Sequence, residues 1–221
     1  MRIVLFLLVF LTGPALAQTA PTAAEIAAYD GLHRAAAEGD AAEIQRLAAA
    51  GADLEARDRV GRTAVHVAAF VSSEAALSAL AGAGADMNAL DGEDYDAVTI
   101  AAVADDPELM SLALDLGNRP DLVTSRWQGT ALIAAAHLGH DEVVRRLIEA
   151  GAPLDHVNNL GWTALIEAVV LGDGGPRHQA VVQALVTAGA DRSIADREGM
   201  TPLQLAEARG YTEIIRLLQA P

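Results

Sequence analysis

Short apolar stretches alternate with polar turns along most of this chain, and within each stretch the apolar residues recur at helical spacing. Residues 128–151 show the pattern most clearly. There, Thr130 precedes an alanine-rich run, and Gly139 separates that run from a second segment. The second segment carries its apolar residues at Val143, Val144, Leu147 and Ile148. The pattern predicts a helix capped by Thr130, a corner at Gly139, and a second helix that ends before a left-handed Gly151. Such a unit cannot bury its own apolar face, so it is expected to stack on similar units.

The pattern occurs six times in phase. The capping positions that align with Thr130 are Asp30, Thr63, Asp96, Thr130, Thr163 and Thr201. The intervals between them are 33, 33, 34, 33 and 38 residues. The last interval is longer because five residues are inserted at the corner of the fifth unit, within residues 172–178. A constant period of this length is typical of repeat proteins.

The repeated strings resemble the ankyrin-repeat family. Thr201-Pro-Leu, Thr63-Ala-Val-His66, Gly139-His140 and Gly84-Ala-Asp-Met-Asn88 match parts of its pattern, and the resemblance covers residues 25–221. It implies an all-α solenoid of helix-turn-helix units with short β-hairpin loops. The expected repeats are residues 25–57, 58–90, 91–124, 125–157, 158–195 and 196–221. The first and last repeats are expected to cap the stack.

The N-terminus carries the pattern of a secretory signal over residues 1–17. Arg2 precedes the apolar run Ile3 to Leu11, and Ala15-Leu-Ala17 fits a cleavage site before Gln18. The run is too short to span a bilayer, so no membrane attachment is expected after cleavage. The expected location is the bacterial periplasm or beyond it, and the alternative is an uncleaved N-terminal anchor. Residues 18–24 then form a short polar leader.

The charge and composition exclude several classes of function. The formal net charge is −15, and the chain has neither lysine nor cysteine. An acidic chain is a poor candidate for binding nucleic acid, which requires clustered cations. The absence of cysteine excludes disulfides and thiolate metal sites. The outer helix of the sixth unit carries Glu213, Arg216 and Gln219, a polar face that favours a monomer over a self-associating solenoid.

Candidate chemistry is sparse, and neither a cofactor nor a metal is expected. By resemblance, His33, His66 and His140 hydrogen-bond neighbouring turns. The alternative function is a metal-dependent or catalytic protein that uses His137 and His140 or the loop 172–178, although Gly139 ends the helix between the two histidines. Glu167 occupies an apolar position of its helix. It is either a partly exposed residue at the edge of the groove or a carboxylate that contacts a partner.

The resemblance implies a concave groove, lined by hairpin tips and by the first helix of each unit, in which a partner protein binds. The predicted groove residues are Arg59, Arg62, Phe70, Tyr95, Arg126, Trp127, His137, Leu160, Trp162 and Met200. Tryptophan, tyrosine and arginine are enriched at interface hot spots. Alternatively, Trp127 and Trp162 pack between adjacent hairpins. If the groove interpretation holds, replacing both tryptophans with alanine abolishes partner binding without unfolding the stack. The expected function is a non-enzymatic scaffold, assembly aid or inhibitor.

Overall fold

The structure, a computed structural model, describes residues 18–220. This part of the chain contains thirteen helices. They are α1 (Ala23–Ala28), α2 (Gly31–Glu38), α3 (Ala41–Ala49), α4 (Ala64–Phe70), α5 (Glu74–Ala83), α6 (Ala97–Val103), α7 (Pro107–Asp115), α8 (Ala131–Leu138), α9 (Asp141–Glu149), α10 (Ala164–Val170), α11 (Pro176–Thr187), α12 (Pro202–Arg209) and α13 (Thr212–Gln219). The predicted signal segment, residues 1–17, lies outside the described residues.

The helices form an all-helical solenoid of six stacked pairs, from α2–α3 to α12–α13. The first helices pack side by side in one layer, α2 on α4 and so on to α12, while the second helices form a parallel layer from α3 to α13. Helix α1 is an additional element that packs on α2. The predicted fold class is therefore confirmed.

Small side chains allow the first helices to approach each other closely. Ala68, Ala101, Ala135 and Ala168 occupy equivalent positions in successive repeats and are fully buried. Larger side chains from both layers complete one continuous core, among them Leu132 and Leu165 of the first helices and Leu77, Leu109, Leu147 and Leu185 of the second helices. Each repeat therefore buries its apolar face against its neighbours.

The helix ends follow the sequence prediction. The Thr130 hydroxyl accepts a hydrogen bond from the Ile133 amide at 3.3 Å, and Asp96 caps α6 through the Thr99 amide at 2.9 Å. Gly139 and Gly151 adopt left-handed φ angles of +72° and +83° at the ends of α8 and α9. These conformations cost least for glycine, which explains why the helices end there.

The loops between repeats are tight turns. Within the described residues no strand is formed, and one isolated bridge joins Thr124 and Gly129. Four of these turns are stabilised in the same way. In each, the residue five positions before the cap accepts hydrogen bonds from two backbone amides through its side-chain oxygen. These four residues are Asp58, Asp91, Asn158 and Asp196. The predicted hairpin loops are therefore present as side-chain-stabilised turns.

Three histidines brace neighbouring repeats, as predicted. Nε2 of His33 hydrogen-bonds the carbonyl oxygen of Arg62 at 2.9 Å, and Nε2 of His66 bonds that of Tyr95 at 3.0 Å. Nδ1 of His140 bonds the carbonyl oxygen of Ala102 at 2.8 Å. Each bond joins two neighbouring repeats. His33 and His66 satisfy turn carbonyls and His140 satisfies one near the end of α6, so the three histidines help to fix the spacing of the stack.

The insertion forms a packed corner between α10 and α11. A Cβ at Gly172 would lie 2.1 Å from the carbonyl oxygen of Ala168, and one at Gly174 would meet the Tyr211 ring at 2.6 Å. The Tyr211 hydroxyl also donates to the carbonyl oxygen of Gly172 at 3.0 Å. The insertion is therefore held by the sixth repeat, and its glycines provide the room that this contact needs.

Candidate functional site

The polar leader packs against the hairpins of the second and third repeats. The Thr22 hydroxyl accepts from the Glu25 amide and thereby caps α1. The backbone amide of Thr19 donates to Glu93 at 3.1 Å, while its carbonyl oxygen accepts from Arg62 at 3.0 Å. The leader therefore covers part of the predicted groove at these two repeats.

Arg62 lies beneath this leader and is 1% exposed. Its guanidinium pairs with Asp58 at 2.7 Å and with Glu25 at 2.8 Å. The Tyr29 hydroxyl donates to the same Asp58 carboxylate at 2.8 Å. Burial would raise the pKa of Asp58, but the Arg62 amide, the Tyr29 hydroxyl and the Arg62 guanidinium lower it to about 2. The prediction that Arg62 lines an exposed groove is therefore wrong, because its side chain joins the leader to the stack.

The other groove residues that directly precede a capping residue are also covered. Tyr95 is buried at 9% exposure, which does not fit its predicted place in an exposed groove. Trp162 and Met200 are half-buried and pack against the core. The residue directly before each cap therefore packs between adjacent hairpins. Packing between hairpins, the alternative considered for both tryptophans, describes Trp162 better than exposure in a groove does.

The hairpin tips are exposed. Trp127 is 43% exposed, and the Arg126 guanidinium lies 5.4 Å from the centre of its ring, a cation–π contact. Arg59 is exposed at the tip of the second repeat, and Leu160 is half-buried at the tip of the fifth. Adjacent tips are joined by a backbone hydrogen bond from Asn159 to the carbonyl oxygen of Trp127 at 3.0 Å. The tips therefore form one continuous edge.

The ends of the first helices provide a second row of apolar side chains. Leu138 and Leu171 are 41% and 44% exposed, and they occupy equivalent positions at the ends of α8 and α10. The position just before these leucines is occupied by His137 in the fourth repeat and by Val170 in the fifth. Phe70 holds the same position in the second repeat, and both Phe70 and Val170 are half-buried. We call the surface made by Trp127, Leu160, Leu138, Leu171 and His137 the open face. It lies in repeats four and five, outside the contacts made by the leader.

Glu167 lies beneath the open face and is 4% exposed. Its carboxylate accepts from the Asn158 side-chain amide at 2.9 Å and lies 3.6 Å from Nδ1 of His137. Burial raises the pKa of Glu167 to about 7, although the Asn158 hydrogen bond opposes the shift. The expectation that Glu167 is a partly exposed residue is therefore wrong. Its buried carboxylate reaches the open face through His137.

The three neighbouring histidines do not converge on one point. The His140 ring bonds the carbonyl oxygen of Ala102, whereas His178 lies between Asp173 at 2.9 Å and the backbone carbonyl of His137 at 3.0 Å. In residues 18–220, no group of three or more histidine, aspartate or glutamate side chains is placed to hold a metal ion.

Two features of this site were missed at the sequence level. The Asn158 turn residue shares its position with Asp58 and Asp91, a pattern visible in the repeat alignment, and it holds Glu167 in place. The docking of the leader on Arg62 spans 43 residues and has no counterpart in the other repeats. The sequence offered a signal for the first feature and none for the second.

Comparison with known proteins identifies similar chains. The family described as ankyrin repeats, in three copies, matches residues 98–196. The chain is 38% identical over 188 residues to the ankyrin repeat protein YahD of Escherichia coli K12, covering 84% of this chain and 92% of that protein. It also resembles the crystal structure of an ankyrin repeat domain from Acinetobacter baumannii AYE, with a TM-score of 0.79 and 43% identity over 85% of this chain and 95% of that one.

A more distant similarity concerns the fold alone. The chain matches a chain in the structure of the predatory endopeptidase Bd0816 of Bdellovibrio bacteriovorus in complex with the immunity protein Bd3460. The TM-score is 0.71 at 21% identity, over 86% of this chain and 97% of that chain. The described helices of the present chain include none long and apolar enough to cross a membrane.

Proposed function

The chain belongs to the ankyrin-repeat family, and from this membership we propose that it is an exported, non-enzymatic module that binds a partner protein through its open face. Ankyrin repeats are protein–protein interaction modules, and some structures with this fold were solved as complexes. The partner docks as a rigid body, since the stacked repeats leave little freedom for rearrangement. A scaffold, an assembly aid and an inhibitor would all use this face.

The observation that carries the proposal is the exposure of large apolar side chains in repeats four and five. Trp127, Leu138 and Leu171 are each more than 40% exposed, whereas most large apolar side chains of the described residues are buried in the core. A single exposed apolar residue needs no explanation, but three on neighbouring hairpin tips and helix ends are typical of a recognition surface. Arg126 beside Trp127 adds a polar group of the kind found at interface hot spots.

Replacing Trp127 with alanine is expected to weaken partner binding at least tenfold, because the exposed indole contributes large contact area at little entropic cost. The stack stays folded, since Trp127 lies outside the core. The measurement is capture of partner proteins from periplasmic extract, followed by affinity measurement on the protein identified. Val123→Ala is the matched control, as Val123 is equally exposed at 46% but lies outside the open face. Equal retention of the partner by both variants would contradict the proposal.

Export is the second part of the proposal. It rests on the charged, apolar and small-residue pattern of residues 1–17 and on the predicted cleavage after Ala17. We expect the protein expressed in a bacterial host to accumulate in the periplasmic fraction with Gln18 as its first residue. Fractionation and an intact mass measurement test this directly. Recovery of the whole chain from the cytoplasm, with residues 1–17 still attached, would count against export and leave the binding proposal standing.

A further inference from the structure

Glu167 is an unusual residue for its place in the repeat. The equivalent positions in the first helices of the neighbouring repeats are Val67, Ile100, Ala134 and Leu205. Glu167 is buried like an apolar residue, yet no arginine of the described chain pairs with it. A buried carboxylate without a cation is costly, because the interior solvates its charge poorly. The Asn158 amide offsets only part of this cost.

His137 connects this carboxylate to the surface. Its side chain is 36% exposed, and its Nδ1 faces Glu167 at 3.6 Å. Burial and the nearby His178 and His140 lower the pKa of His137, which favours the neutral ring. With its proton on Nδ1 toward Glu167, the ring carries a lone pair on Nε2. This Nε2 has no hydrogen-bond partner within residues 18–220, so it can accept a bond from a group outside the chain.

Apolar side chains flank the histidine. Leu138 follows it directly, and Leu171 stands at the equivalent position of the adjacent repeat. Helices α8 and α10 pack against each other, and packed helix axes lie about 8–10 Å apart. The two leucines therefore end adjacent helices and present exposed apolar surface on which an aliphatic stem can lie. A side chain with an apolar stem and a donor at its tip matches both features.

We propose that His137, Leu138 and Leu171 form a subsite for a lysine side chain of the partner protein, with Glu167 balancing the charge of its ammonium group through the imidazole ring. This inference rests on the proposed function, since it assigns a chemistry to the same open face. The lysine donates to Nε2 of His137, and its methylene groups cover the leucines. The bound cation stabilises the ionised form of Glu167.

Two properties of the site favour lysine over the alternatives. Nε2 offers a single lone pair, which suits the point-like ammonium better than the planar, two-pronged guanidinium of arginine. The net charge of −15 also attracts a basic partner and repels an acidic one. The groups facing the carboxylate from the surrounding elements are His137 on α8 and Asn158 in the hairpin, and those facing the His137 ring are His140 before α9 and His178 on α11.

Titration of the purified protein with Nα-acetyl-lysine amide tests the subsite. At about pH 8 we expect a saturable shift of the NMR signals of the His137 ring and of the Leu138 and Leu171 methyl groups, with a dissociation constant on the order of 1–10 mM. The uncharged norleucine analogue should bind at least tenfold more weakly. Glu167→Gln should weaken lysine binding to a similar extent, whereas Glu207→Gln, which removes an exposed carboxylate from α12, should leave it unchanged.

His137→Leu provides an independent variant, since it keeps Glu167 and should also lose lysine binding at the leucine methyl signals. Circular dichroism confirms that each variant is folded. Unchanged lysine binding in folded Glu167→Gln or His137→Leu, equal binding of norleucine, or preferential binding of Nα-acetyl-glutamate amide would each overturn the lysine subsite. None of these results would affect the wider open-face proposal, which depends on the Trp127→Ala experiment.

Discussion

Replacing Arg62 with alanine is expected to lower the free energy of unfolding by about 3 kcal/mol, the cost typical of removing one member of a buried ion pair. The guanidinium is almost completely buried and pairs with Asp58 and Glu25. After its loss, the Asp58 carboxylate keeps the Tyr29 hydroxyl and two backbone amides, which limits the penalty. The leader loses its bond from Arg62 to the Thr19 carbonyl, so the N-terminal segment is expected to detach first.

Urea unfolding followed by circular dichroism measures this effect, and hydrogen exchange locates it in residues 18–29. The matched control is Arg59→Ala, because Arg59 is exposed in the same hairpin. A surface substitution of this kind changes stability by less than about 0.5 kcal/mol. If Arg62→Ala is no more destabilising than Arg59→Ala, the buried network does not anchor the leader.

The burial of Arg62 shows why the fold was easier to predict than the site. The stacked helices could be predicted from local sequence, since capping residues such as Thr130 and helix-ending glycines such as Gly139 act within one unit and recur in phase. The exposure of a hairpin residue is decided by whatever packs over it. The leader packs over Arg62 from 43 residues away, and no repeat-based pattern encodes that contact.

The two tryptophans illustrate the same distinction. They differ by two positions in their hairpins, since Trp127 lies at the exposed tip and Trp162 directly precedes the cap Thr163. Residue type alone predicts that both lie at an interface. Their positions in the repeat predict different exposures, because the residue directly before the cap faces the adjacent hairpin. The proposed double substitution is therefore better divided, with Trp127→Ala reporting on binding and Trp162→Ala on packing.

Glu167 provides the second large effect, and here the stability depends on pH. The pKa of this carboxyl rises from 4.5 to about 7 on folding because it is buried. The folded state therefore binds more protons than the unfolded state between these values, and stability falls as the pH rises through this window. Above pH 7 the accumulated penalty is about 3 kcal/mol, since each pKa unit corresponds to about 1.4 kcal/mol.

Glu167→Gln removes this penalty, because the amide stays neutral and its oxygen can still accept from Asn158. The variant should match the wild type in stability below about pH 4.5 and exceed it by about 3 kcal/mol near pH 8. Urea unfolding of both proteins across this range measures the difference, and Glu207→Gln controls for the general loss of a negative charge. A constant difference at every pH would show that Glu167 does not titrate in this window.

A stability gain of this size in Glu167→Gln would also help to explain why the chain has a glutamate at position 167. Neighbouring repeats place apolar residues at the same position, so the fold does not require a carboxylate there. A residue that lowers stability at neutral pH, and that contacts the one histidine of the open face, is more readily explained by binding than by folding. Stability and recognition should then move in opposite directions in Glu167→Gln. The variant should unfold at higher urea concentration near pH 8 and bind the lysine probe more weakly under the same conditions.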